Sequence, residues 1–171
     1  MRIFKEEQRF TQLWLIVLIG VSMIVPLGII ITTYIKEPDS FSTLEFIAIL
    51  GIMAVASGII FIFKLSSRID EQGFHYKFFP FHRTFKLIAW HEVQSAYLRN
   101  YDAISEYGGW GLKGGALWNR SKGTAINVSG DIGIQLELKN GKKVLIGTQK
   151  QHDAQAVLET YKDKLITSTD V

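Results

Sequence analysis

The chain of 171 residues has no cysteine. This excludes a disulfide framework, a thiolate metal site and a cysteine nucleophile, and it is compatible with a reducing compartment. Charge is scarce in one region only. The first 63 residues hold nine charged side chains: Arg2, Lys5, Glu6, Glu7, Arg9, Lys36, Glu37, Asp39 and Glu45. Their net charge is −1, whereas residues 64–171 carry 15 Lys and Arg against 11 Asp and Glu, a net of +4. The basic excess therefore belongs to the second part, where acids are interspersed with it. That is no basic stripe of the kind that binds nucleic acid.

Nearly half of the chain is hydrophobic, at 47%, and the surplus sits in the charge-poor part. Between Arg9 and Lys36 run 26 residues without a charge. Leu13 to Tyr34 includes thirteen Leu, Ile and Val, long enough as a helix to cross a hydrocarbon core of about 30 Å. Pro26 falls near its middle. A second uncharged run, Phe46 to Phe63, has 18 residues and spans about 27 Å as a helix. The expectation is a transmembrane hairpin with helices at about 13–34 and 45–63 inside an N-terminal segment 1–66. A secretory signal peptide fits the first run less well, because the run is too long and no small-residue cleavage site follows. Two helices apolar on every face would need a large surrounding protein to be buried in a soluble fold.

Basic residues in the short flanks set the expected orientation. Arg2, Lys5 and Arg9 precede the first helix, Lys64 and Arg68 follow the second, and the connecting segment offers only Lys36. Both termini are expected in the cytoplasm, with the protein in the inner (cytoplasmic) membrane. In the second helix Ala48, Gly51, Val55 and Gly58 recur near heptad spacing, and Ala54 with Gly58 forms a small-xxx-small pair. These residues either allow close helix packing, with Gly20 or Gly28 as possible partners, or reflect the general abundance of glycine in membrane helices.

From Arg68 onward, short runs of β-branched and aromatic residues alternate with glycine, which predicts antiparallel sheet over a domain of residues 67–171. The strands are expected at Arg68–Glu71, Phe74–Phe79, Thr84–Ala89, Val93–Asn100, Ala125–Val128, Ile132–Leu138 and Lys143–Gly147. Asn140-Gly141 between the last two favours a type I′ hairpin turn. Alternation over Ile132–Leu138 predicts one buried and one wet face. Val157, Leu158, Tyr161 and Leu165 then fall at helical spacing, giving one amphipathic helix at about 152–166.

The order and spacing of Asp70-x-x-Gly73, Phe79-Pro80-Phe81-His82, Trp90-His91-Glu92-Val93, Tyr107-Gly108-Gly109-Trp110-Gly111, Ser129-Gly130 and Leu145-Ile146-Gly147-Thr148 resembles bacterial pleckstrin-homology-like (PH-like) proteins with two N-terminal membrane helices. The resemblance covers nearly the whole chain. It implies a membrane α-helical hairpin plus a mainly-β domain, a seven-stranded, partly open barrel capped by a C-terminal helix. It implies no activity and transfers no catalytic residues.

Gly109-x-Gly111-x-x-Gly114 matches the dinucleotide fingerprint in letters, but no strand is evident before it and no helix after it. The segment 108–115 reads instead as a glycine-rich loop in which Trp110 and Trp118 either plug the barrel or stay exposed. His75, His82, His91 and His152 match no zinc spacing. No catalytic residue, cofactor or metal site is assigned, and no enzyme is expected. The segment Tyr76 to Arg83 concentrates aromatics and cations shortly after Phe63. Phe79, Phe81 and Arg83 are candidates for contact with anionic lipid headgroups, unless the aromatics alternate into the barrel. Trp110, Lys113 and Arg120 are candidates for a protein partner. The expected function is a membrane-anchored, non-enzymatic binding or scaffold module on the cytoplasmic face. The alternative is an accessory subunit of a transporter or other membrane complex that docks through Ala48, Gly51 and Gly58; a third reading, a membrane-associated enzyme, would need a buried polar cluster inside the helices, and the sequence offers none.

Overall fold

The computed structural model describes residues 3–37, 42–114 and 122–166. In chain order the elements are β1 (Phe4–Arg9), α1 (Leu13–Lys36), α2 (Thr43–Gly58, extended by a 3-10 turn over Ile59–Ile62), β2 (Lys64–Ile69), β3 (Gly73–Phe79), β4 (Lys86–Ala89), β5 (Val93–Asn100), α3 (Ala103–Tyr107), β6 (Gly111–Lys113), β7 (Thr124–Asn127), β8 (Ile132–Leu138), β9 (Lys143–Gly147), α4 (Gln151–Thr160) and α5 (Lys162–Ile166). Phe10–Ile62 form one compact unit. The described residues up to Arg9, together with those from Phe63 onward, form the other.

In the helical unit, α1 and the stretch Thr43–Ile62 are 24 and 20 residues long, about 36 and 30 Å, and apolar enough to cross a membrane. Neither α1 nor α2 has a buried residue, so no soluble core encloses them. α1 runs through Pro26 without interruption. A capping box starts α2: the Ser42 hydroxyl accepts from the Glu45 N–H at 3.3 Å, and the Ser42 N–H donates to the Glu45 carboxylate at 2.7 Å. The two helices meet where Tyr34 stacks on Phe46 at 4.4 Å and where the Ser57 hydroxyl donates to Met23 Sδ at 3.0 Å.

The β unit contains nine described strands in two sheets rather than the seven expected, and the barrel does not close. One sheet has the order β1-β2-β3-β4 and the other β5-β8-β9-β7-β6. All neighbours are antiparallel except β7 and β9. The expected division at residue 66 shifts accordingly, because β1 belongs to the β unit and pairs with β2 from Phe4↔Ile69 to Arg9↔Lys64. The helical unit is thus an insertion between two paired strands. Phe4, Glu6 and Gln8 point inward and Lys5, Glu7 and Arg9 outward. The inward polar side chains reach the end of β9. Glu6 accepts from the Thr148 hydroxyl at 2.7 Å and from the Gln149 N–H at 2.8 Å, and the Gln8 amide donates to the Gly147 carbonyl at 2.8 Å.

The main core gathers Phe4, Ile69, Phe74, Trp90, Val93, Ile134, Leu136 and Ile146 under Ala154, Val157, Leu158 and Tyr161 of the C-terminal helices. The expected helix over 152–166 is divided at Tyr161 into α4 and α5. The turn from β2 to β3 explains Asp70-x-x-Gly73. Asp70 Oδ1 accepts from the Gln72 N–H at 2.9 Å. Gly73 adopts φ +148°, where an added Cβ would fall 2.1 Å from the Ile88 carbonyl oxygen. The turn from β8 to β9 differs from the expected type I′. Only Gly141 takes positive φ, its N–H returns to the Leu138 carbonyl, and Leu138 N–H donates to Lys142 O. This is a three-residue turn ending in an αL glycine, held by the Asn140 carboxamide, which accepts from the Lys142 N–H at 3.0 Å.

Candidate functional site

A groove of about 830 Å³ in the β unit is lined by Gln94, Ser95, Ala96, Tyr97 and Leu98 of β5 and by Gln155, Leu158, Glu159, Lys162 and Leu165 of α4 and α5. Successive strand residues point to opposite faces. A groove touched by five in a row therefore follows the strand's edge. β5 is the outer strand of its sheet, and among the described residues only β8 pairs with it. On the other wall the lining positions recur at helical spacing. Ala96, Leu98 and Leu165 are only partly buried where they meet the core, so the floor is apolar and half covered. The rim is polar. Ser95 and Tyr97 both donate to Glu137, at 3.1 and 3.4 Å, and Glu137 pairs with Lys143 at 2.8 Å. Hydrogen bonding and the charge of Lys143 keep the Glu137 carboxyl below its usual range.

The expected wet face of β8 is not wet at Gly133 and Gln135, which are buried. A second cluster of Tyr101, Ala103, Tyr107, Ala125 and Leu145 covers that side, with Trp110 packed against it. Arg99 organises this side. Its guanidinium donates to both Glu106 carboxylate oxygens at 3.1 and 2.9 Å, to the Tyr107 hydroxyl at 2.9 Å and, through Nε, to Gln135 at 3.0 Å. Such a bidentate pair is oriented as well as charged. Burial works against the Arg99 charge, but Glu106 and Tyr107 outweigh it and raise its pKa. Neither Arg99 nor Glu106 is a candidate from the sequence. Four residues on one short stretch from the end of β5 through α3, Arg99, Asp102, Glu106 and Tyr107, are the local signal that a polar clamp can form there.

The glycine-rich loop is partly regular structure. Gly108, at φ 75°, caps α3, and Gly111 begins β6. Among the described residues the fingerprint therefore brackets a strand, with Gly111 at its start and Gly114 directly after it, and not the opening turn of a helix. Trp110 neither plugs the main core nor stands clear of the fold. Lys113 is half-buried at the end of β6, and Arg120 and Trp118 lie outside the described residues. The candidates Trp110, Lys113 and Arg120 thus form no described surface together, and neither Trp110 nor Lys113 is among the residues that line the β5 groove.

Phe79 ends β3, and Phe81 and Arg83 follow it on the connection to β4. The alternation of aromatics into the core holds for Phe74 and Phe78, which are buried, whereas Phe79, Phe81 and Phe85 are 42%, 65% and 49% exposed. Ala48 and Gly51 are exposed on α2 and Gly58 is half-buried. An added Cβ at Gly20, Gly28, Gly51 or Gly58 would meet nothing within 4 Å. The contact between α1 and α2 therefore does not use these glycines, contrary to the partnership suggested for Gly20 and Gly28.

Among the described residues no three His, Asp or Glu side chains gather as a metal site. His75 instead pairs with buried Asp70 at 3.0 Å, beside Arg68 at 2.7 Å. Burial pushes the Asp70 pKa up, but the Gln72 N–H, His75 and Arg68 together hold it below 3.8.

No family model matches the chain, and it has no match among curated proteins or solved structures.

Proposed function

We propose that this chain is a membrane-anchored binding module: α1 and α2 cross the bilayer, and a PH-like β unit on the cytoplasmic side holds an extended segment of a partner protein along β5. The observation that carries the reading is the open β5 edge beside a half-covered apolar groove. An exposed strand edge is a template for another strand and is ordinarily blunted or covered. Added strands gain main-chain hydrogen bonds from the edge and place alternate side chains in adjoining pockets. Here Ala96, Leu98, Leu158 and Leu165 offer the apolar floor, and five lining residues of β5 match a segment of about five residues, roughly 16 Å.

The anchor is supported by the length and apolarity of the two helices and by their insertion between paired strands. Because Arg9 and Lys64 are register partners, the helical segment leaves and rejoins the β unit at adjacent points, as two spans of a hairpin require. Basic residues on those flanks favour the cytoplasmic side. A binding rather than catalytic role fits how the buried and half-buried charges are used: Glu6 ties β1 to β9, Asp70 fixes a turn, and Glu106 pairs with Arg99.

The test is site-specific photo-crosslinking from Tyr97 and from Glu159 in the full-length protein, with Asn140 as a distant position. One extended partner segment captured from both groove walls supports the reading. Crosslinking from the groove no greater than from Asn140 rejects it. A second reading, an accessory subunit of a membrane complex, is favoured by the free face at Gly51. Since a side chain there meets nothing within 4 Å, a Gly51→Leu, Gly58→Leu variant that loses a co-purifying membrane protein would support that docking role.

A further inference from the structure

We propose that the connection from β3 to β4 is a foot that seats the β unit on anionic phospholipid headgroups; this rests on the membrane-spanning reading of α1 and α2. Strand register supplies the first observation. Arg9 pairs with Lys64, and Lys64 pairs with Phe79. These three residues form one row across β1, β2 and β3, at the end of the sheet from which the chain leaves toward Leu13 and to which it returns from Ile62. The connection Pro80–Phe85 extends beyond that same row before β4 turns back with Lys86 opposite Tyr76. The opposite end of the sheet is closed by the turn at Glu71.

The second observation is the surface that this end carries. Phe79, Phe81 and Phe85 are 42–65% exposed, an unusual concentration for a surface facing only water. Phe81 is nevertheless held in place, its ring stacked 5.9 Å from Phe63 and 6.0 Å from buried Phe78. The closing turn is fixed by the His82 N–H, which donates to the Phe78 carbonyl at 2.8 Å. Aromatic rings of this kind favour the headgroup layer.

The third observation is charge. From Gly73 to His91 there is no acidic residue, while Lys77, Arg83 and Lys86 are present. None of the three has an ion-pair partner among the described residues; Lys77 lies 5.1 Å above the Phe85 ring. Each cation near an anionic surface contributes about fivefold to the seated population, and the attraction falls off within a Debye length.

The experiment exploits the absence of cysteine. Single cysteines placed by Thr84→Cys, Glu71→Cys and Val25→Cys in the full-length protein are spin-labelled, reconstituted in nanodiscs, and compared for oxygen and nickel-chelate accessibility. In discs containing phosphatidylglycerol the Thr84 label is expected at headgroup depth, the Glu71 label in water and the Val25 label in the hydrocarbon. Arg83→Gln with Lys86→Gln is expected to lower the seated-to-free ratio at Thr84 by about 25-fold, and high salt to act in the same direction. A Thr84 label as aqueous as the Glu71 label, with the Val25 label still in hydrocarbon, overturns the foot and leaves the anchor standing. A Val25 label in water overturns both. Equal seating in zwitterionic discs, unchanged by the double substitution, overturns the assignment to anionic headgroups.

Discussion

Replacing Glu6 by alanine removes the acceptor for the Thr148 hydroxyl and the Gln149 N–H. Thr148 is only 2% exposed, so its hydroxyl is left without a partner where water does not replace the carboxylate. An orphaned buried group costs roughly 1–3 kcal/mol, and a hydrogen bond to a charged group contributes about 1.5–3 kcal/mol. Glu6→Ala is therefore expected to lower the stability of the β unit by about 3 kcal/mol. For a domain of this size that is a fall in Tm of more than about 10 °C. The assay is thermal and denaturant unfolding of the detergent-solubilised full-length protein, followed by the fluorescence of Trp90, which packs between Phe74 and Tyr161. Glu7→Ala serves as the comparison, since Glu7 is 66% exposed and pairs with Lys64 across the surface; its loss is expected within about 0.5 kcal/mol. Glu6→Gln retains an acceptor for Thr148 and is expected to fall between the two. If Glu6→Ala and Glu7→Ala are equally stable, β1 is no part of the β unit and the insertion topology is wrong.

Gly147→Ala places a methyl 2.9 Å from the Asn127 Cβ and 3.2 Å from its Cα; since β7 backbone cannot move aside freely, a loss of about 1–3 kcal/mol is expected in the same unfolding assay. Arg99→Met removes the bidentate partner of Glu106 and a donor to the Tyr107 hydroxyl, leaving Glu106 only Lys122 as a cation, at 3.6 Å, so hydrogen exchange at the amides of α3 is expected to accelerate at least tenfold while β2 and β3 keep their protection. Burial, reinforced by Lys86, lowers the His82 pKa below 6.5, so its contribution to stability is present above pH 6.5 and is lost as pH falls through the folded-state value. Wild type should accordingly lose stability between pH 7.5 and 5 by more than His82→Gln does, and an NMR titration should place the His82 midpoint below 6.5; a midpoint above it contradicts the burial argument.

The strands Val93–Asn100, Ile132–Leu138 and Lys143–Gly147 have the bounds that the sequence pattern predicts, because alternation and a strong turn dipeptide are local signals. β1 has neither. Its inward positions after Phe4 are Glu6 and Gln8, whose partners at Gly147 and Thr148 lie some 140 residues away, so its polarity reads as a solvated flank. β6 and α3 are too short, at three and five residues, to show a period. The β5 groove was illegible for another reason. That β5 is an edge follows from sheet order, which no run within β5 encodes. The aromatic and basic segment around Phe81 was visible as composition, and strand register supplied its place at the end of the sheet beside Arg9 and Lys64.

The most direct measurement is labelling of single cysteines, introduced by Glu7→Cys, Glu37→Cys and Glu159→Cys, with a membrane-impermeant maleimide in intact and lysed cells expressing the full chain. The account predicts that the Glu37→Cys protein reacts in intact cells, whereas the other two react only after lysis and alike. Reaction of the Glu7→Cys and Glu159→Cys proteins from opposite sides, or of all three in intact cells, would contradict a cytoplasmic β unit interrupted by a membrane hairpin.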